Sequence, residues 1–283
     1  MGETLIQVEN VHFAYPLGAK QDRYCALANC SLRINKGETL AILGSNGSGK
    51  TTLAKHLNGL LIPQQGRVLV AGMDTQQQAH CWEIRRLVGM VFQNPDNQIV
   101  AATVEEDVAF GPENLGLPPT EIRQRVDHFL KLLQLTDERE TPPHMLSGGQ
   151  KQRLAIAGVL AMYPHCVVLD EPTAMLDATG RKALQALLQR LKTDHQITVV
   201  LITHLMEEAA LADRVVVLHQ GTVAFDGTPQ QLFSQYSDLM QYGLRVPPVV
   251  EVAVMLKQAG IKMDQLPLNI DQLVNILCRS LKV

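Results

Sequence analysis

The sequence predicts an α/β fold. A parallel sheet is wrapped by helices, preceded by an antiparallel edge, interrupted by a helical insertion and followed by a small helical appendage. Three observations lead there. Short apolar runs at 39–43, 166–169, 198–202 and 214–218 alternate with helical patterns at 50–60 and 179–192. A glycine-rich turn, Gly44-Ser45-Asn46-Gly47-Ser48-Gly49-Lys50-Thr51, joins the first strand to the first helix. Hydrophobic residues make up 46% of the chain and aromatic residues only 4%, which suits a core of Val, Ile, Leu and Ala.

The elements follow in order. Residues 6–11 and 31–34 alternate apolar and polar around a polar loop at 18–23, as an antiparallel edge does. Segments 67–70 and 87–92 are further strands. From 103 to 162 the pattern turns helical. Pro118-Pro119-Thr120 opens a helix with Ile122, Val126, Phe129, Leu130 and Leu133 on one face, and Ser147 can cap the next helix, 150–162. The predicted organisation is an α/β unit over 1–230, with a helical subdomain at 96–163 inserted into it. The style changes after Thr228: Pro247-Pro248 leads a helix ending near Gly260, and Ile270, Leu273, Val274, Leu277 and Leu281 share one face of a last helix. Residues 231–283 are therefore read as the appendage.

Composition narrows the function classes. A net charge of −3 and a pI near 6.3 argue against a general nucleic-acid binder, which carries a basic face. No window approaches the ~18–20 apolar residues that cross a bilayer. No signal peptide or lipid-anchor motif is visible at Met1-Gly2-Glu3-Thr4, so a cytosolic chain, or one peripheral to a membrane through a partner, is expected. The five cysteines form no Cys-x-x-Cys pair and are read as reduced thiols, mostly packed; a hairpin could bring Cys25 and Cys30 together, but no metal site is expected there.

Gly44 to Thr51 fits the phosphate-loop pattern G-x-x-x-x-G-K-[ST] in full. Its glycines let backbone N–H groups turn toward phosphate oxygens, and the following helix adds its positive end. Lys50 can reach the β and γ phosphates of a nucleotide, and the Thr51 hydroxyl can ligate Mg²⁺. Thr52 lies in the same first turn. Asp170 ends an apolar strand, where a carboxylate can hold Mg²⁺. Glu171 follows, where a carboxylate can polarise the attacking water. His204 comes after the strand 198–202, whose end is expected beside the phosphate loop. Gln93 ends the strand 87–92 and is either a contact to metal or water or an ordinary turn residue. Tyr15 and Phe13 lie on one face of an extended segment; one of them stacks on a base, or both are core.

These residues, together with Leu146-Ser147-Gly148-Gly149-Gln150 and Ala174-Met175-Leu176-Asp177, stand in the order that resembles the nucleotide-binding subunit of ATP-binding cassette (ABC) transporters. The resemblance covers about 6–227 and implies a RecA-like P-loop core with an antiparallel β edge and an inserted helical subdomain. It also implies a head-to-tail dimer. Each ATP would lie between one subunit's phosphate loop and the other's Ser147-Gly148-Gly149-Gln150 segment, with Asp177 joining the two sites and Tyr15 stacking on adenine.

A narrower similarity is to the ATPase subunits of energy-coupling factor (ECF) transporters, which take up vitamins or nickel and cobalt ions. It rests on Phe92 to Gln98, on Val108-Ala109-Phe110-Gly111-Pro112-Glu113-Asn114, on Thr173 to Asp177 and on the helical appendage. It implies a second ATPase, identical or paralogous, a transmembrane coupling subunit and a substrate-capture membrane subunit, on the cytoplasmic face of the cell membrane. Nucleic acid is not an expected partner. The competing readings are an ATPase of a conventional importer and a non-transport ATPase. The second fits poorly, because the segment between Lys50 and Ser147 is too short for the long insertion of repair ATPases and the chain carries a single cassette.

Overall fold

The computed structural model describes residues 2–16, 23–261, 263 and 265–280. The polar-loop positions 18–22 and Leu281 lie outside them. The chain opens with a hairpin, β1 (Thr4–Pro16) and β2 (Arg23–Asn35). It continues through β3 (Thr39–Leu43), α1 (Lys50–Leu57), β4 (Gln65–Val70), β5 (Met73–Asp74), α2 (Cys81–Leu87) and β6 (Val88–Val91). The helical insertion holds α3 (Val104–Asn114), α4 (Pro119–Leu132) and α5 (Gly148–Leu160). The α/β pattern resumes with β7 (Cys166–Asp170), α6 (Ala178–His195), β8 (Thr198–Ile202), α7 (Met206–Ala209), β9 (Arg214–His219) and β10 (Thr222–Gly227). The chain ends in α8 (Pro229–Ser234), α9 (Tyr236–Leu239), α10 (Pro248–Gln258) and α11 (Ile270–Ser280).

Two sheets form. One is antiparallel, in the order β2-β1-β4-β5. The other runs β10-β9-β3-β8-β7-β6, parallel from β9 to β6, with β10 added antiparallel at one edge. The central strands β3, β7 and β8 are buried along nearly their whole length, as parallel strands covered on both faces must be. Their side chains alternate between two cores. Ile42, Val168, Val200 and Ile202 face a core shared with α1 and the antiparallel sheet. Val167, Leu169, Val199 and Leu201 face the core of the helical insertion, where Val108, Val126, Phe129 and Leu130 pack. Ala41, Leu43, Val215 and Val217 face a third cluster, filled by Met206 and by Leu232, Phe233, Leu239, Leu244 and Val250 from beyond the last strand.

Several elements differ from the expectation. β1 and β2 each run 13 residues, longer than the alternation indicated. Asn10 (φ 49°) and Asn29 (φ 57°) sit in left-handed conformations where the pairing register shifts, and such bulges break a period-two pattern. Cys25 and Cys30 lie on one strand, β2, opposite Ala14 and Val11, and are not neighbours across a hairpin. All five thiols are free; Cys30 and Cys166 are buried, whereas Cys25 and Cys278 are exposed. Burial pushes the Cys30 thiol up to about 12, so it stays protonated and inert. Helix α1 stops at Leu57, before Gly59 at φ 68°. α2 escaped the sequence reading because Ile84 is its one buried residue. The expected apolar face of α11 is half open: Leu273 packs, but Ile270 is 71% and Val274 50% exposed.

Phe233 is fully buried against the sheet cluster. Phe233→Ala is expected to destabilise the chain by about 3–5 kcal/mol. Chemical denaturation checks this; a change under about 1 kcal/mol would mean that the helices after β10 contribute little to the folded unit.

Candidate active site

The parallel strands set the site. Leu43 runs into Gly44, and β3 pairs in register with β8, Ile42 opposite Ile202. β8 pairs with β7, Ile202 opposite Asp170, and β7 with β6, Leu169 opposite Val91. The carboxyl ends of four adjacent strands are therefore level. The phosphate loop, His204, Glu171 and Gln93 leave those ends in spatial sequence, where open α/β sheets bind ligands.

The loop's backbone needs its glycines. Gly49 sits at φ 104°, and a Cβ there would lie 2.3 Å from the Ala26 carbonyl oxygen. Gly49 also occupies the N-cap of α1, with no side-chain bond to the helix's free N–H groups. By contrast, side-chain oxygens of Thr103, Ser147, Asp177 and Thr228 cap α3, α5, α6 and α8. An uncapped helix start beneath a glycine loop leaves its donors and its positive dipole end for an anion. Lys50 Nζ donates to the Gly44 and Ser45 carbonyls at 2.8 and 3.0 Å, folding back over the loop. Burial holds its pKa below the usual lysine range, against the opposing pull of Glu171 and Asp170.

Glu171 is the centre of the polar cluster. Gln93 Nε2 donates to its Oε2 at 2.8 Å, and His204 Nδ1 stands 3.6 Å from its Oε1. Its side chain is 15% exposed, so the carboxylate keeps access to the cavity. Its backbone takes φ 47°, unusual for a non-glycine residue and a form of strain found at functional positions. Asp170 is buried at 2% exposure. That burial raises its carboxyl above the usual range, while the Thr51 hydroxyl bonds it and lowers it. The Thr51 hydroxyl and the Asp170 carboxylate form an adjacent pair of hard oxygen donors, which fits a Mg²⁺ ion that takes its remaining ligands from water and phosphate.

A cavity of about 1010 Å³ opens over the loop, lined by Gly44, Ser45, Asn46, Gly47, Gly49, Lys50, Thr51, Thr52, Gln93, Glu171 and His204. Ser48 is turned inward and buried, packed on Gly44. Tyr15 does not line the cavity: its hydroxyl lies 3.3 Å from the Thr52 hydroxyl, and its ring meets Phe13 edge-on at 5.0 Å. Phe13 packs against the core. Two lining elements escaped the sequence reading. Tyr24 donates its hydroxyl to the Gly47 carbonyl at 2.5 Å, and residues 243–248 form part of one wall. An aromatic just after the polar loop and the Gly243 and Pro247-Pro248 punctuation were the available signals.

Ser147, Gly148, Gly149, Gln150 and Asp177 are not at this cavity. Ser147 and Gln150 form a reciprocal capping box at the start of α5, Ser147 N donating to Gln150 Oε1 at 2.9 Å and Gln150 N to Ser147 Oγ at 3.3 Å. Gly148 and Gly149 lie against Met175 and Leu176, just before Asp177, which caps α6 through Gly180 N at 2.7 Å. Two clusters thus stand apart on one chain, one with a helix start free for phosphate and one with small residues at a second helix start.

Residues 27–174 match the family described as ABC transporter. The chain belongs to the ABC transporter family. It is 53% identical over 283 residues to the energy-coupling factor transporter ATP-binding protein EcfA1 of Symbiobacterium thermophilum, spanning 99% of this chain and 98% of that one. It is 51% identical over 279 residues to the protein of the same name from Clostridium perfringens, spanning 99% of both. Among solved structures it resembles cbiO1 of Clostridium perfringens, described as part of the ABC transporter complex cbiONQ, with a TM-score of 0.74 and 36% identity over 90% of this chain and 99% of that one. A dimeric ATP-binding cassette in a post-hydrolysis state with ADP and Pi gives a TM-score of 0.74 and 32% identity over 80% of this chain and 99% of that one. The activity of this ABC ATPase is ATP hydrolysis coupled to transport.

The electrostatics of Asp170 give a stability prediction. Its folded pKa is raised, so its protonated form is favoured on folding. The penalty is present above the folded pKa and relieved as pH falls through it. Asp170→Asn should therefore raise the melting temperature of the nucleotide-free chain at neutral pH, by on the order of 2–4 °C per kcal/mol relieved, while abolishing Mg²⁺-dependent hydrolysis. A scan of Tm against pH on both proteins checks it: the gap should close in acid, and a lower Tm for the variant at pH 7 would refute it.

Proposed function

We propose that the chain is the ATP-hydrolysing subunit of an ECF-type uptake transporter for vitamins or nickel and cobalt ions, bound peripherally at the cytoplasmic face of the membrane. It acts as one half of an ATPase dimer. The observation that carries this reading is the separation of the phosphate-loop cavity from the Ser147–Gln150 helix start on one chain, beside relatives named as ECF ATP-binding proteins along its full length. A second cassette, identical or paralogous, supplies the missing half of each site. No helix among the described residues is long and apolar enough to cross a membrane, so the translocation path belongs to other subunits, a transmembrane coupling protein and a substrate-capture protein.

The phosphate-loop amides and Lys50 bind the β and γ phosphates, and Tyr15 or the neighbouring Tyr24 meets the base. Mg²⁺ held by Thr51 and Asp170, with Gln93 near it, would neutralise phosphate charge. Glu171 takes the proton of the attacking water, oriented by Gln93 and His204. Ser147 and Gly149 of the partner complete the γ-phosphate shell from a helix start, and the dimer closes. Closure is felt by the helical insertion through the segment after Gln93: Gln98 Nε2 donates to the Ala155 carbonyl of α5 at 3.0 Å, and Lys151 pairs with Asp96 at 2.7 Å. Hydrolysis removes the γ phosphate and releases the dimer. The work is the differential affinity of open and closed states for ATP and ADP.

Glu171→Gln should lower kcat by about 10²–10⁴-fold and leave an ATP-loaded closed dimer that survives size-exclusion chromatography. A variant that stays monomeric in saturating Mg·ATP removes the dimer scheme. Purification of the tagged chain from detergent-solubilised membranes tests the partners. A second ATPase, a coupling subunit and a capture subunit are expected to accompany it, and a chain that returns alone or with ribosomes contradicts the transport role.

A further inference from the structure

The cavity over the phosphate loop is walled on one side by residues 243–248, which join α9 to α10. The fit is close: a Cβ on Gly243 would lie 3.1 Å from Ser45 Cβ. Ser45 in turn accepts from Lys50 Nζ, so this segment abuts the cradle of the phosphate-binding ammonium. Its position is anchored at both ends. Leu244 is buried with Leu43, Met206 and Val217, and its N–H donates to the Leu239 carbonyl at 3.0 Å. Pro247 is buried, and its carbonyl accepts from Val250 and Glu251 at the start of α10 at 2.9 and 3.1 Å.

Between these anchors Arg245 is exposed on the cavity wall. Among the described residues it makes no ion pair or hydrogen bond, in contrast to Arg139 and Arg214, which each bond two carboxylates. Glu207 lines the same cavity without pairing to it. Leu244 shares its buried cluster with Met206, and Met206, Leu205, His204 and Glu171 line the same cavity as Arg245. A guanidinium presents a planar fork of donors that suits phosphate oxygens, and its charge survives at every physiological pH.

We infer that Arg245 is a nucleotide-contacting residue that binds the terminal phosphate of ATP, so that the appendage distinguishes ATP from ADP. The inference rests on the cavity being the ATP site. The phosphate-loop amides and Lys50 serve both nucleotides, whereas a cation held by the 243–248 segment adds a contact that ADP does not make. The appendage is thereby a reader of nucleotide state as well as a packing element.

Calorimetric titration of ATP and ADP into the full-length chain tests this, with Glu171→Gln as background to prevent turnover. In that background Arg245→Ala should weaken ATP binding by about tenfold, the cost of one charge-assisted hydrogen-bonded contact, and change ADP binding by less than about twofold. Arg245→Lys should recover part of the loss. An unchanged ATP-to-ADP affinity ratio in Arg245→Ala, or equal weakening of both nucleotides, overturns the inference and leaves the site reading intact. A parent protein that binds neither nucleotide, or that binds both as well after Lys50→Ala, overturns the site reading and this inference together.

Discussion

The level carboxyl ends of β3, β8, β7 and β6 are the constraint on which the site depends. Parallel strands lie about 4.8 Å apart. Register then decides whether residues that follow four different strands meet or miss. Ile42 opposite Ile202, Ile202 opposite Asp170 and Leu169 opposite Val91 keep the ends level. One residue of slip would turn each strand's side chains to the opposite face and move its exit loop along the edge. The slip is prevented by packing, because alternate residues on each strand enter separate cores filled by α1 on one side and by the helical insertion on the other. The Gln93–Glu171 bond at 2.8 Å is thus a product of hydrophobic packing well away from it.

Two unfavourable features are concentrated at this edge. Asp170 and Lys50 both carry the cost of partial burial, and the start of α1 has no side-chain cap. A chain selected for stability alone would place an apolar residue at 170. A bound anion and cation would offset all of these features at once, which is how a site can be specific for a metal–phosphate pair: each partner relieves a cost that the other leaves. The same logic distinguishes the start of α5. Its donors are already satisfied by the Ser147–Gln150 box, so it is stable without ligand and can approach a neighbouring subunit's phosphate from outside.

Much of this was legible in the sequence, for identifiable reasons. The phosphate loop, Asp170, Glu171 and His204 follow short apolar strands, and a parallel sheet puts all such exits on one edge. The face of α4 was legible because Val126, Phe129, Leu130 and Leu133 are all buried. The edge strands were partly hidden, since bulges at Asn10 and Asn29 interrupt their alternation. β10 was missed because it is half-buried at most and sits on a two-residue turn, Gln220-Gly221, that carries no Asn or Asp. Tyr24 and the 243–248 wall were visible as local features but could not be assigned to the site, for a different reason. Their proximity to Gly47 and Ser45 comes from long-range packing, and no local pattern encodes that.

That packing bears on how the appendage should be regarded. Leu232, Phe233, Leu239 and Leu244 fill the same cluster as Ala41 and Leu43, the last residues before the phosphate loop. The sheet face at β3 and β9 would otherwise be open, since the helical insertion covers Val167, Leu169, Val199 and Leu201 farther along. A segment that covers the strand leading into the nucleotide loop, and whose own loop meets that nucleotide loop, cannot shift without disturbing the backbone of the phosphate cradle. Packed interfaces of this kind change between discrete arrangements more readily than they deform. Any movement of the appendage would therefore be felt at Ser45, and the rearrangement of the phosphate loop on binding nucleotide would in turn be felt along α10.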